Sequence, residues 1–277
     1  MRIFLTGATG YVGAAILATL QRAGHVVVAL VRSPAQAAAL AARGVDAIVG
    51  DLAAPDGYLA AAAACDAVVH AAFQYTASGE EDRAREQQAT RALAGAARHF
   101  VYTANAYLLD TAGRAPVDEA VDPRLVSASH GAWRFDLERE VLAAPAAVIR
   151  LGMVYGNDRG TVADLFAAGG RVDTGPGRAS VVYLHDLADL YRVVIERRAT
   201  GIFHAVDGEP LAARELVRIV AALVGDAGAA AHPHTLDVLH RDVAVRAPRA
   251  FALGWRPRFA SFRDGAPTAF AEWQRAR

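Results

Sequence analysis

The chain contains no lysine: all 29 residues counted under Lys and Arg are arginines. Chemistry that depends on a lysine amine is therefore excluded, including a Walker A phosphate-binding lysine and a lysine Schiff base. Cysteine is almost as scarce. Cys65 is the single thiol, which excludes an internal disulfide and a cysteine-based zinc site and fits a reducing compartment. It falls in the apolar stretch 60–69, where the expected role is that of a buried small hydrophobe. No uninterrupted apolar run approaches the roughly 20 residues that cross a bilayer. The apolar residues after Arg2 run into a glycine turn too early for a secretory signal. A soluble, cytoplasmic protein with no membrane partner is expected. Net charge is also missing, since 29 basic and 29 acidic residues balance. That removes bulk attraction for nucleic acid or acidic substrates. The pair His232 and His234 has no accompanying cluster at ligand spacing, so no metal is expected.

Apolar residues make up 54% of 277 positions, enough for one large α/β domain or a nucleotide-binding body with a smaller lobe. Short apolar runs of strand length recur at 3–6, 26–31, 47–50, 67–71, 100–104 and 147–151, with helical spacing between them. Continuous apolar strands are those covered on both faces, so the pattern implies βαβ units and a doubly wound parallel sheet, the Rossmann arrangement. The expected dinucleotide-binding domain spans 1–152, with 178–206 returning to it. Residues 153–177 and 207–277 are read as a smaller, interleaved C-terminal lobe that covers the substrate. Glycines at 156, 160, 169, 170, 175 and 177 are loop signals. Beyond them the pattern predicts a helix over 186–197, a strand over 202–206, a helix over 213–224 and an irregular tail.

Gly7, Gly10 and Gly13 follow the first strand and open a helix. In that position the missing side chains let the backbone turn tightly, so that a pyrophosphate can approach the N–H groups and positive dipole of the helix N-terminus. Gly7, Thr9, Gly10, Tyr11 and Val12 are the expected pyrophosphate loop; the alternative is three turn glycines in an Ala/Gly-rich chain. Enzymes that use NAD place a carboxylate about 20 residues later on the ribose 2′-hydroxyl. Here the second strand ends in Val31-Arg32-Ser33. A guanidinium beside a hydroxyl suits the 2′-phosphate of NADP(H), which is therefore preferred, with NAD(H) still possible. The alternative for Arg32 is a surface arginine after a strand.

The run Thr6-Gly7-Ala8-Thr9-Gly10-Tyr11-Val12-Gly13 resembles the extended short-chain dehydrogenase/reductase superfamily, and the later segments point to its NAD-dependent epimerase/dehydratase branch. The likeness continues through Gly50-Asp51-Leu52, Val69-His70-Ala71-Ala72, the segments 150–156 and 182–188, and Leu253-Gly254-Trp255-Arg256-Pro257. It implies that Asp51 and Leu52 lie by the adenine and Ala71 and Ala72 by the adenosine ribose. It also implies a small-molecule substrate, and a homodimer formed by helices near 80–98 and 130–142.

The family's proton-transfer pair is a Tyr with a Lys four residues later, and this chain departs from it, reading His130-Gly131-Ala132-Trp133-Arg134 at that place. His130 and Arg134 stand four apart on one helix face, behind Ser127 and Ser129 as caps. A neutral imidazole serves as a base or neutral donor, which fits proton abstraction; the alternative is that the site is no longer catalytic and His130 is a satisfied structural residue. Arg134 can hold the nicotinamide ribose but keeps its charge; it can instead pair with Glu138. Where the family places a Ser or Thr after the fifth strand, this chain has Asn105, with Thr103 two residues earlier. An Asn amide can polarise a substrate oxygen, or it can cap the loop. Arg159, Arg171 and Arg178 could hold a nucleotide-sugar phosphate, but arginine is this chain's only cation, so its presence there is uninformative. The expected function is an NADP(H)-dependent oxidoreductase or epimerase acting on a small polar or natural-product-like molecule. The alternatives are a redox-neutral isomerase, cyclase or dehydratase, and a non-catalytic NADP(H) sensor.

Overall fold

In the computed structural model, which describes residues 1–73, 79–123, 132–225 and 237–277, the apolar runs form a seven-stranded parallel sheet. Along the chain the strands are β1 (Arg2–Thr6), β2 (Val26–Val31), β3 (Asp46–Val49), β4 (Ala67–His70), β5 (Phe100–Asn105), β6 (Ala146–Leu151), β7 (Met153–Tyr155), β8 (Arg178–Ala179), β9 (Val181–Tyr183), β10 (Gly201–Ala205) and β11 (Leu211–Ala212). The helices are α1 (Tyr11–Arg22), α2 (Pro34–Ala41), α3 (Leu59–Ala63), α4 (Gly79–Ala96), α5 (Ala132–Val141), α6 (Thr161–Ala167), α7 (Leu184–Glu196), α8 (Ala213–Val224), α9 (Pro248–Ala252) and α10 (Phe262–Arg275). No helix among the described residues is long and apolar enough to cross a membrane.

The large sheet has the order β10-β6-β5-β4-β1-β2-β3. Ile3, Phe4, Leu5, Val68 and Val69 are completely buried, as strands covered on both faces must be. The last residue of β1, Thr6, lies opposite Leu30 of β2 on one side and His70 of β4 on the other. The chain therefore changes direction across the sheet between β1 and β4. In a doubly wound sheet, the carboxyl ends of strands at such a switch point form the ligand crevice.

The chain folds into two interleaved compact units. The first comprises Met1–Ala104, Asp136–Ile149 and Tyr191–Gly201. Residues 191–201 are held there by His25, whose Nε2 is 3.1 Å from Glu196, and by His99, whose Nε2 donates to the Ala199 carbonyl at 2.9 Å. Cys65 is buried as expected; its thiol donates to the Ala61 carbonyl at 3.3 Å, and burial pushes its pKa up.

The second unit comprises Asn105–Phe135, Arg150–Leu190 and Ile202–Arg277. The glycines of its first half do not form one long loop. They end short elements instead: Gly156 and Gly160 have φ +118° and +87° between β7 and α6, and Gly169 and Gly170 have φ +64° and +65° just after α6. β7 pairs in parallel with β9, and β8 pairs antiparallel with β11. The tail is not irregular either. It carries α9 and the 14-residue α10, which contains Pro267 and Gly265, both poor helix formers. Burial overrides propensity there: Phe262, Ala266, Ala269 and Trp273 form one inward face of α10. Phe262 meets Tyr155 edge to face at 5.0 Å between ring centroids. Trp255 is completely buried, stacks on Phe251 at 5.7 Å and donates its indole N–H to the Asp186 carbonyl at 2.9 Å, which fixes the segment between the two helices.

Candidate functional site

The site in the first unit begins where β1 ends. Gly7 has φ +79°, a backbone conformation that disfavours any other residue, and a Cβ on it would lie 2.6 Å from the Ala71 carbonyl oxygen and 2.8 Å from the Ala72 nitrogen. The loop then closes with the Gly10 N–H donating to the Gly7 carbonyl at 2.8 Å, and α1 starts at Tyr11. A Cβ on Gly13 would overlap the Gly7 carbonyl, so this glycine is required for the helix to pack against the turn. The N-cap of α1 is Gly10, with no side-chain capping bond and no acidic residue in the first turn. A helix end of that kind favours an anion.

The loop opens onto a cavity of about 390 Å³. Its walls are Thr6, Gly7, Thr9 and Gly10; then Leu30, Val31, Arg32 and Gln36 around the end of β2; then Gly50 and Leu52; and Ala71, Ala72 and Phe73 after β4. These residues fit a dinucleotide. The backbone approach at Gly7 needs the absent Cβ, and the cavity runs from the α1 N-terminus to the Arg32 turn. Of the predicted cofactor residues, Gly7, Thr9, Gly10, Arg32, Leu52, Ala71 and Ala72 line it. Tyr11, Val12, Ser33 and Asp51 are not among the lining residues. The Ser33 hydroxyl caps α2, accepting the Gln36 N–H at 3.3 Å, and the Asp51 carboxylate accepts the Ala53 N–H at 2.9 Å within its own turn. Burial, with Asp51 nearby, pushes the neighbouring Tyr58 hydroxyl up to about 12. The Arg32 side chain is exposed, and no carboxylate pairs with it among the described residues.

Beneath the loop lies a buried polar chain. Thr6 Oγ1 accepts the Ala72 N–H at 3.2 Å and sits 2.7 Å from His70 Nδ1. His70 Nε2 is 3.6 Å from Glu86, which accepts the Tyr102 hydroxyl at 2.9 Å. The ends of β1 and β4 are thus joined by side chains as well as by the sheet. Gln36, Thr6 and Phe73 join the site without having been expected there. The spacing Ser33-Pro34-Ala35-Gln36 is that of a capping box and is the local signal for Gln36.

His130 lies outside the described residues, as do Gly131, Ser127, Ser129, His232 and His234. Thr103, in the first unit, is 2.7 Å from the hydroxyl of the completely buried Tyr191, whose pKa is raised by burial. Its hydroxyl therefore serves an internal bond. Asn105, in the second unit, accepts the Tyr107 N–H at 2.7 Å through Oδ1, so the loop-capping role is realised; the same bond leaves its amide nitrogen available as a donor. The Arg134 guanidinium stacks 4.5 Å from the centroid of the Trp133 ring. Arg178 is not placed for a substrate phosphate. Its Nε and Nη2 donate to the two oxygens of Asp242 at 2.8 and 2.7 Å. The Thr111 hydroxyl and the Gly113 N–H complete that cage, at 2.6 and 2.7 Å, and the Arg178 bond leads in holding the Asp242 carboxyl well below the usual carboxylate range.

Sheet order, glycine turn and cavity together define a dinucleotide-binding α/β protein of Rossmann type. A family model for NAD(P)H-binding domains matches residues 7–123. A 3-diazoavenalumate denitrifying reductase from Streptomyces sp is 30% identical, with 96% of this chain and 99% of the relative covered. A 2-alkyl-3-oxoalkanoate reductase from Stenotrophomonas maltophilia (strain K279a) is 30% identical over 81% of this chain and 76% of its own. The crystal structure of a human epimerase family protein, SDR39U1 (isoform2), with NADPH superimposes with a TM-score of 0.78 at 18% identity, over 98% of this chain and 99% of that one. The chain belongs to an NAD(P)H-binding family with reductases among its relatives, and it shares the fold of the extended short-chain dehydrogenase/reductase epimerases.

Proposed function

We propose that the protein is an NADP(H)-dependent oxidoreductase that interconverts an alcohol and a carbonyl on a small natural-product-like molecule. The observation that carries this reading is the end of β2. An exposed guanidinium without a paired carboxylate among the described residues borders the cavity at the place where NAD enzymes keep an acid. Arg32 would take the 2′-phosphate, and the α1 N-terminus the pyrophosphate. When bound, NADP(H) supplies or accepts the hydride. On the substrate side the Asn105 amide nitrogen, left over from its cap, donates to the reacting oxygen. His130, as a neutral imidazole, takes the alcohol proton in the oxidising direction. Arg134 serves as a fixed positive charge that holds and does not exchange protons. The relative named as a 2-alkyl-3-oxoalkanoate reductase supports the carbonyl–alcohol reaction, and the one named as a denitrifying reductase supports reductive chemistry in general.

The test is oxidation of 2-alkyl-3-hydroxyalkanoates with NADP⁺, with the reverse reduction in parallel. His130→Ala is expected to lower turnover by about a hundredfold, the usual range for a lost general base, while the dissociation constant for NADPH stays within about twofold. Unchanged turnover in the variant would remove His130 from the mechanism.

A further inference from the structure

Gln36 occupies the third position of α2, lines the cavity and bridges the two turns that bracket it. The Arg32 backbone N–H donates to Gln36 Oε1 at 3.0 Å. Only the carbonyl end of the amide can accept that bond, so Nε2 points the other way and donates to Thr9 Oγ1 at 3.5 Å. The backbone of Gln36 is itself anchored on the Ser33 hydroxyl. An ordinary capping box would turn the glutamine side chain back to the N-cap N–H. Here it reaches one residue further, to Arg32, and across to the glycine loop. One neutral side chain thereby holds the Arg32 turn and the pyrophosphate loop together.

We infer that Gln36 is a positioning residue that sets cofactor specificity: it fixes the Arg32 turn for a 2′-phosphate while placing no charge beside it. This rests on the reading that the cavity takes NADP(H). A glutamate at position 36 would still accept the Arg32 N–H, and it could accept the Thr9 hydroxyl proton, so the bridge would survive with a negative charge at its centre. A leucine would remove the bridge without adding charge.

The experiment is a fluorescence titration of wild type, Gln36→Glu and Gln36→Leu with NADPH and with NADH, alongside the thermal midpoint of each protein. In Gln36→Glu, NADPH affinity is expected to fall about tenfold or more through repulsion across a few ångströms of partly wet protein, with NADH within about twofold. In Gln36→Leu, NADPH affinity should fall severalfold and NADH affinity clearly less, because both cofactors use the glycine loop that the bridge holds while only the 2′-phosphate also depends on the Arg32 turn. Should the glutamate variant fail to fold, the leucine variant alone decides. An unchanged NADPH to NADH ratio, or equal losses for both cofactors, overturns the inference. Wild type that binds neither dinucleotide, or prefers NADH, overturns the underlying reading and the inference with it.

Discussion

The two units differ in what their most distinctive polar groups are built from. In the first, the site is shaped by backbone: Gly7, Gly10 and Gly13 let chain pass against chain, and the buried side chains Thr6, His70, Glu86 and Tyr102 form a continuous polar series. In the second, a half-buried carboxylate is caged and a fully buried one is left without a hydrogen-bond partner among the described residues. Asp242 is caged by Arg178, Thr111 and Gly113. Asp207 is 3% exposed, and neither carboxylate oxygen has a hydrogen-bond partner among the described residues. Burial pushes its pKa up from 3.8 to about 8, reinforced by the Asp264 and Asp186 carboxylates and offset in part by the backbone at Glu209. His204, also buried, is pushed down to about 4 by burial and by Arg150. A site built from backbone shows in a motif. Buried charge shows only once the chain is folded.

The contrast can be broken most sharply in the first unit. Gly13→Ala forces a methyl group into the Gly7 carbonyl, and neither backbone can yield without moving α1 or the turn. A loss of about 3 kcal/mol or more in urea unfolding is expected, with NADPH binding abolished in whatever remains folded. A variant of ordinary stability and affinity would show that the turn is not set by close packing.

The second unit offers a subtler probe. Between pH 3.8 and about 8 folded Asp207 keeps a proton that the unfolded chain has released, so the folded state binds more protons. Its contribution to stability is therefore present at low pH and is lost as pH rises through that window, levelling off above about 8. Asp207→Asn should remove this part of the pH dependence, leaving a flatter thermal midpoint between about pH 5 and 8 than wild type shows. Identical slopes in the two proteins would mean that Asp207 is not protonated in the folded state.

The same contrast explains what is legible in the sequence. Strand 26–31 and helix 213–224 appear at the predicted bounds, since apolar runs and amphipathic spacing are local signals. The glycine turn is legible because its steric demand leaves one residue type at positions 7 and 13. Ser33 reads as a phosphate ligand in the sequence, whereas its hydroxyl caps α2; for Gln36 the sequence carries only a capping-box spacing, and its reach to Arg32 and Thr9 is assigned by geometry alone. Arg178 looks free for a substrate until the fold sets Asp242, 64 residues further on, beside it. α10 is hidden because Gly265 and Pro267 argue against a helix, and only the buried face through Phe262 and Trp273 argues for one.

We propose that the cavity of the first unit reads a 2′-phosphate through Arg32. This reading is tested most directly by titrating wild type and Arg32→Ala with NADPH and NADH at fixed ionic strength. Wild type should bind NADPH more tightly than NADH, and the variant should lose about tenfold or more for NADPH alone. Equal affinities in wild type, or an equal loss for both cofactors in Arg32→Ala, would contradict it.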